Sequence, residues 1–231
     1  MQIASFVVGP FETNVYAVWC PGTGKAIVID PGIDSQPVYQ FIKRKGLELT
    51  AIVNTHGHID HVYGDYFFKT QAGVPLLIHE ADVPLLSLVP DQATSFGLDP
   101  PQIAEPDGFL KENDVIKVGE GEFTVIHTPG HTPGGICLYR ARLVPPTAEQ
   151  GGEARLLPPD KEGGEADVIF VGDTLFAGSI GRHDLPGGSY PQLIESIKTK
   201  LLVLPDKTVV YSGHGPETTI GAEKRFNPFL S

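Results

Sequence analysis

Three features of this sequence predict an α/β fold. Unbroken apolar runs such as Ala26-Ile27-Val28-Ile29 and Val168-Ile169-Phe170-Val171 suit strands covered on both faces. Apolar residues at i, i+3 and i+4, namely Val38, Phe41, Ile42 and later Leu193, Ile194, Ile197, Leu201, mark amphipathic helices. Strands and helices also recur in two broadly similar halves. A chain of 231 residues is long for one unit but is often filled as a single α/β domain, and residues 1–231 are read as one.

In chain order, residues 3–8 and 14–20 are short apolar segments joined by Gly9-Pro10-Phe11-Glu12-Thr13, which predicts a hairpin. The run at 26–29 stops at Asp30-Pro31-Gly32. Residues 37–45 form the first helix, with Asp34 and Ser35 ahead of it and Gly46 behind. A strand at 49–54 leads into a histidine-rich stretch. A helix over 62–72 follows, closing at Gly73, and a strand at 74–79. Residues 80–113 are Pro-rich, with one short helix near 82–88, and carry no functional signal. Strands at 115–118 and 123–127 form a hairpin around Gly119-Glu120-Gly121, and a further strand spans 135–139. Between 140 and 166 the apolar runs vanish among Gly-Gly and Pro-Pro pairs, which predicts a flexible loop insertion. A strand at 168–171 ends in Gly172-Asp173. Ser189 and Gln192 stand at capping-box spacing before the second helix, and a last strand at 208–211 leads to Ser212-Gly213-His214-Gly215. Phe226, Phe229 and Leu230 are expected to pin the tail.

The net charge of −11, with no run of Lys or Arg, argues against nucleic acid as a partner, because phosphate-backbone binding needs concentrated basic surface. Cys20 and Cys137 lie far apart in apolar runs and read as buried free thiols. There is no membrane-length apolar span and no signal-peptide pattern at residues 1–10, so a cytoplasmic protein without membrane contact is expected.

Function is concentrated in Thr55-His56-Gly57-His58-Ile59-Asp60-His61, four candidate metal donors in seven residues. Imidazole nitrogen and carboxylate oxygen suit borderline divalent metals, and Gly57 would allow the sharp turn that convergence needs. Four apolar runs end in a Gly-containing turn followed by a metal-competent side chain: His56, His131, Asp173 and His214. Turns beyond strand ends can aim side chains without disturbing the ladder. Five histidines and two aspartates exceed what one open tetrahedral site accepts, so two divalent ions are expected. Zn²⁺ comes first, and Fe²⁺ or Mn²⁺ suit the same donors. Two cations about 3.5 to 4 Å apart can lower the pKa of a shared water to about 7, which points to hydrolysis.

Residues 55–61 resemble the Thr-His-x-His-x-Asp-His signature of the metallo-β-lactamase superfamily, and His131, Asp173 and His214 follow in that family's order. The resemblance implies a four-layer αββα sandwich. It implies His56, His58 and His131 on one metal, Asp60, His61 and His214 on the other, and Asp173 bridging them, with Asp60 and Asp173 in the catalytic role. Within the superfamily the chain most resembles short bacterial glyoxalase II-like enzymes, through Thr128-Pro129-Gly130-His131-Thr132-Pro133-Gly134, Gly172-Asp173-Thr174-Leu175-Phe176, residues 181–188 and residues 213–230. That implies hydrolysis of S-lactoylglutathione or a related hydroxyacyl-glutathione by metal-activated hydroxide, in a monomer or small homo-oligomer. The larger enzymes of that type carry a C-terminal helical domain with basic residues for glutathione. Only a short tail follows His214 here, so recognition would come from elsewhere, and His183 stands where Thr is expected, which would alter the pocket rim beside Arg182. Residues 181–184 also resemble the persulfide dioxygenases, which imply one iron on His56, His131 and Asp173.

Arg182 could take a substrate carboxylate bidentately or pair with Asp184. Asp30, in an Asp-Pro-Gly turn, could hold that turn or orient a ligand histidine through its free ring nitrogen. Tyr190 reads as packing, and His79 and His127 as hydrogen-bonded or surface histidines.

Overall fold

The computed structural model describes residues 1–141, 155–156 and 167–230. The chain opens with the antiparallel hairpin β1 (Gln2–Val8) and β2 (Thr13–Trp19), followed by β3 (Lys25–Ile29). Helix α1 (Gln36–Arg44) buries Val38, Phe41 and Ile42. Its Pro37 sits in the first turn, where no amide is needed, and Lys43 and Arg44 face the negative end of the dipole. Strand β4 (Glu48–Val53) runs parallel to β3. Two short helices follow, α2 (Ile59–Val62) and α3 (Asp65–Ala72), then β5 (Leu76–Ile78), α4 (Val83–Leu86), α5 (Val89–Ser95) and β6 (Gly108–Phe109).

The second half starts with the antiparallel strands β7 (Val115–Val118), β8 (Gly121–His127) and β9 (Ile136–Arg140). Strand β10 (Arg155–Leu156) pairs with β1. After β11 (Val168–Gly172) come the ribbon β12 (Leu175–Phe176) and β13 (Ser179–Ile180), and α6 (Tyr190–Ser196), continued by a π turn over Ile197–Leu201. The chain closes on β14 (Val209–Ser212), β15 (Thr218–Thr219) and α7 (Ile220–Phe226).

One sheet has the order β10-β1-β2-β3-β4-β5-β6 and the other β15-β14-β11-β9-β8-β7. Alternation along the strands shows why they lie face to face between helices. In β2, Tyr16 and Val18 join an apolar layer with Ile116, Phe123, Leu138 and Phe170 of the second sheet. Its Val15, Ala17 and Trp19 point the other way, against Phe41 of α1 and Phe68 of α3. In β11, Val168 and Phe170 face the first sheet, whereas Ile169 and Val171 pack on Leu193 and Ile197 of the α6 helix. Strands apolar on both faces require cover on both faces, and the result is the αββα sandwich. Among the described residues no helix is long and apolar enough to cross a membrane.

Several boundaries differ from the sequence expectation for physical reasons. The helix expected over 62–72 starts earlier, at Ile59, and breaks at Gly64. The Gly64 amide donates to Pro31 O, and a Cβ there would lie 2.5 Å from that oxygen and 2.4 Å from Ser35 Oγ. The turn after β3 therefore presses on the backbone at this point. The capping box at Ser189 is not formed: its side chain makes no cap hydrogen bond, and Pro191 has removed one amide of the first turn. The tail is held by α7 and by Leu230, while Phe226 is 77% exposed and Phe229 is also exposed. Residues 80–113 hold α4, α5 and β6 rather than one short helix. Apart from 140–141 and 155–156, the loop insertion expected at 140–166 lies outside the described residues. Cys20 and Cys137 are buried free thiols, as expected.

Candidate metal centre

All the donors singled out in the sequence meet at one end of the sandwich. Strand β4 delivers Thr55, whose amide and hydroxyl donate to Asp30 Oδ1 and Oδ2 at 2.7 and 2.6 Å. Asp30 ends β3 in the left-handed region at φ 52°, which Asp tolerates. The end of one strand thus fixes the start of the histidine motif after its neighbour. Gly57 has no positive φ, contrary to the expected turn. A Cβ there would stand 2.9 Å from Asp82 O and 3.1 Å from Leu85 Cβ, so lack of space is what demands glycine.

His56, His58 and His131 bring one nitrogen each into a common site, and Asp60, His61 and His214 form a second such group. Asp173 lies between them, with Oδ1 3.4 Å from His61 Nε2 and Oδ2 3.7 and 3.5 Å from the Nε2 atoms of His131 and His214. The seven residues singled out in the sequence are thus brought together here. Strand pairing carries this out: Asn14 N donates to Gly213 O and Gly213 N to Gly172 O, which ties the His214 and Asp173 turns to the β1–β2 hairpin.

The hydrogen bonds of the outer ring nitrogens decide what the inner ones can do. His131 Nδ1–H donates to Arg182 O at 2.7 Å. His56 Nδ1–H donates to Thr55 Oγ1 at 3.1 Å, because that hydroxyl's own proton goes to Asp30. Both Nε2 atoms then carry lone pairs, yet they face each other at 3.2 Å. His214 Nδ1–H donates to Phe11 O at 3.0 Å, and its Nε2 lone pair meets Asp60 Oδ2 at 3.0 Å. His61 Nδ1–H donates to Asp30 Oδ2 at 3.0 Å, leaving Nε2 toward Asp60 and Asp173. His61 Nε2 and Asp173 Oδ1 are buried with no hydrogen-bond partner. Lone pairs aimed at lone pairs repel unless a cation lies among them, so the donor set fits divalent metal in both groups.

The acid–base behaviour agrees. Burial, with the neighbouring imidazoles, pushes His56 well below the usual histidine range and His58 down to about 4, keeping both neutral as ligands must be. Burial also opposes charge on His61 and His214, but Asp60 and Asp173 overcome it and raise both. These carboxylates draw positive charge to where a cation would sit. Asp30 lies within donor reach of His56 and His61, but its oxygens are engaged by Thr55 and His61. It orients a ring and supports a turn, so both roles considered for it hold together.

Three features had no signal in the sequence. Asp82, fully buried, accepts from Gly57 N at 2.9 Å, Gly134 N at 2.6 Å and Thr132 Oγ1 at 2.8 Å, joining the loops that carry His56, His58 and His131. Phe11 contributes its carbonyl. Gln92 of α5 and Phe96 just after it line the cavity of about 500 Å³ that opens on the donors, together with Phe176, Ile180 and Arg182. Their partners lie far away in sequence, which is why 80–113 read as silent. Arg182 lines this cavity, but its guanidinium forks onto both oxygens of Asp184 at 3.0 and 2.9 Å. His79 and His127 stack at 4.2 Å and are hydrogen-bonded. Tyr190 rests against His183, with ring centroids 4.9 Å apart.

Two donor groups with a carboxylate between them, at the end of an αββα sandwich, define a metal-dependent enzyme of the metallo-hydrolase class. The family pattern of the metallo-beta-lactamase superfamily matches residues 8–142 and 162–214, and the chain belongs to that superfamily. It is 37% identical to the protein named hydroxyacylglutathione hydrolase GloC of Haemophilus influenzae, over 100% of this chain and 99% of that one. Among solved structures it resembles BLEG-1 B3 metallo-beta-lactamase, at 34% identity and TM-score 0.80 over 98% of each chain. It also resembles TTHA1623 in a di-iron-bound form, at 35% identity and TM-score 0.79 over 98% of this chain and 99% of that one. ETHE1 from Myxococcus xanthus is 25% identical, with a TM-score of 0.71 over 99% of this chain and 84% of that one.

Proposed function

We propose that the chain is a thioester hydrolase of the glyoxalase II type, acting on S-lactoylglutathione or a related hydroxyacyl-glutathione. The observation that carries this reading is the pair of complete donor groups opening on one cavity. The name of the Haemophilus relative supports it. Bound in these groups, two divalent ions would supply a nucleophile at neutral pH and polarise the carbonyl oxygen. The chain's own part is positional. Asp30, Phe11 O, Thr55 and Arg182 O hold four imidazoles in the tautomer that points a lone pair inward. Asp173 reaches both groups. A thiolate is a good leaving group, so no protein acid is needed beside it.

The other reading of the sequence, a persulfide dioxygenase with one iron on His56, His131 and Asp173, would leave Asp60, His61 and His214 without a task. Their convergence favours the hydrolase. The purified chain, loaded in turn with Zn²⁺, Fe²⁺ and Mn²⁺, should consume S-lactoylglutathione and release free thiol. Oxygen uptake with glutathione persulfide at one iron per chain, and no thiol release, would overturn the proposal. Within it, His61→Ala should leave one metal per chain where wild type holds two, since His61 belongs to the second group alone. Equal loss of both metals by elemental analysis would contradict that division.

A further inference from the structure

The cavity has an aromatic wall that no step described so far uses. Phe11, in the turn between β1 and β2, and Phe96, just beyond α5, meet edge to face with centroids 5.1 Å apart and planes at 79°. Phe176, Ile180 and Leu185 line the same cavity, and the Phe176 ring lies 6.3 Å from that of His214, so the wall runs up to the donors. Phe96 is 58% exposed. An apolar ring left in solvent beside a reactive centre marks a contact surface for a ligand.

The backbone that carries both rings is held before any ligand arrives. Val89 and Ala93 of α5 are fully buried in one cluster with Ile59 and Val62 of α2, the short helix that carries Asp60 and His61. The Phe96 amide donates to Gln92 O and Ala93 O at 3.0 and 3.1 Å. Phe11 is fixed by its carbonyl, which accepts from His214. Preorganisation of this kind lets contact area appear as affinity rather than be offset by ordering. Basic side chains play little part. Among the described residues lining the cavity, Arg182 is the one Lys or Arg, and it is forked onto Asp184.

Resting on the thioester-hydrolase reading, we infer that Phe11 and Phe96 form a subsite for an apolar, preferably aromatic, substituent on the acyl side of the thioester. The substrate class is then acyl thioesters larger than lactoyl. Sulfur and acyl substituent both adjoin the carbon at the donors, and the rings are assigned to the acyl side because that wall is apolar and its one guanidinium is already paired, leaving no cation there for glutathione's carboxylates. A third ring there completes the edge-to-face geometry that aromatic groups favour.

The test separates binding from turnover. Calorimetry on the metal-loaded full chain compares the uncleavable thioethers S-benzylglutathione and S-methylglutathione. Wild type should bind the benzyl compound about tenfold more tightly, the ratio equivalent to ~1.4 kcal/mol. Phe96→Ala and Phe11→Ala should bring the two within about twofold of each other. Phe226→Ala, at a 77% exposed position, should keep the wild-type ratio. Turnover then compares S-mandeloylglutathione with S-lactoylglutathione, and the preference should appear in KM rather than kcat. Equal thioether binding by wild type, or a ratio unmoved by Phe96→Ala, overturns the subsite. If the thioethers are discriminated as expected but neither thioester is cleaved, the subsite stands and the hydrolase reading falls. If both thioesters are cleaved with like KM and the thioethers bind alike, the hydrolase reading stands and the subsite falls.

Discussion

Asp173→Ala is expected to lower thioester turnover by at least about a thousandfold, well beyond the roughly 10- to 100-fold that follows loss of an outer partner of a metal site. Asp173 is the carboxylate placed between the two groups, 3.4 Å from His61 and 3.5 to 3.7 Å from His214 and His131. Without it, neither group keeps its full charge complement, and metal content should fall together with rate. The fold should persist, because the buried Oδ1 makes no hydrogen bond that folding relies on. Turnover under proton-detected thiol release, elemental analysis and circular dichroism test the three parts. Retention of most activity would sink the assignment of this residue.

Asp82→Ala is expected to act on stability first. Among the described residues, its carboxylate accepts from three donors on two loops, Gly57 N, Gly134 N and Thr132 Oγ1. Removing it strands buried donors, each worth about 1 to 3 kcal/mol when unpaired. A loss of about 3 to 5 kcal/mol follows, allowing for partial relaxation, or roughly 10 °C in Tm for a chain of this length. Metal affinity of the His56, His58 and His131 group should weaken about 10- to 100-fold, the usual consequence of freeing a ligand loop. Asn is not a remedy, because its amide would point N–H at N–H. A thermal melt with and without metal, and a competition titration with a chelator, measure both effects. An unchanged Tm would show that water replaces the carboxylate without loss.

The donor set was legible because metal chemistry restricts residue type severely. Few reasons other than metal place His56, His58, Asp60 and His61 in seven residues, and the strand–turn pattern extended the set to His131, Asp173 and His214. The split of helix 62–72 was not legible, since the oxygens that crowd Gly64 belong to Pro31 and Gly32, half a βαβ unit away. The capping box failed because Ser and Gln spacing states only that a cap is available. The silence assigned to 80–113 was the larger miss: Asp82, Gln92 and Phe96 acquire meaning only from partners on other elements.

By itself, then, the sequence determined the α/β class, the strands apolar on both faces and the identity of the metal-competent side chains. Each of these is a local property of residue type and period. The division of the seven donors into two groups around Asp173 was implied only by the family resemblance, and tertiary structure alone decided which histidine Asp30 orients and that Asp82 joins the two loops. The reason is geometric. Packing of the two sheets sets the end of β4 against the ends of β11 and β14, with Gly172 beside Thr55 and bonded to Gly213, and no periodicity along the chain encodes a distance across it.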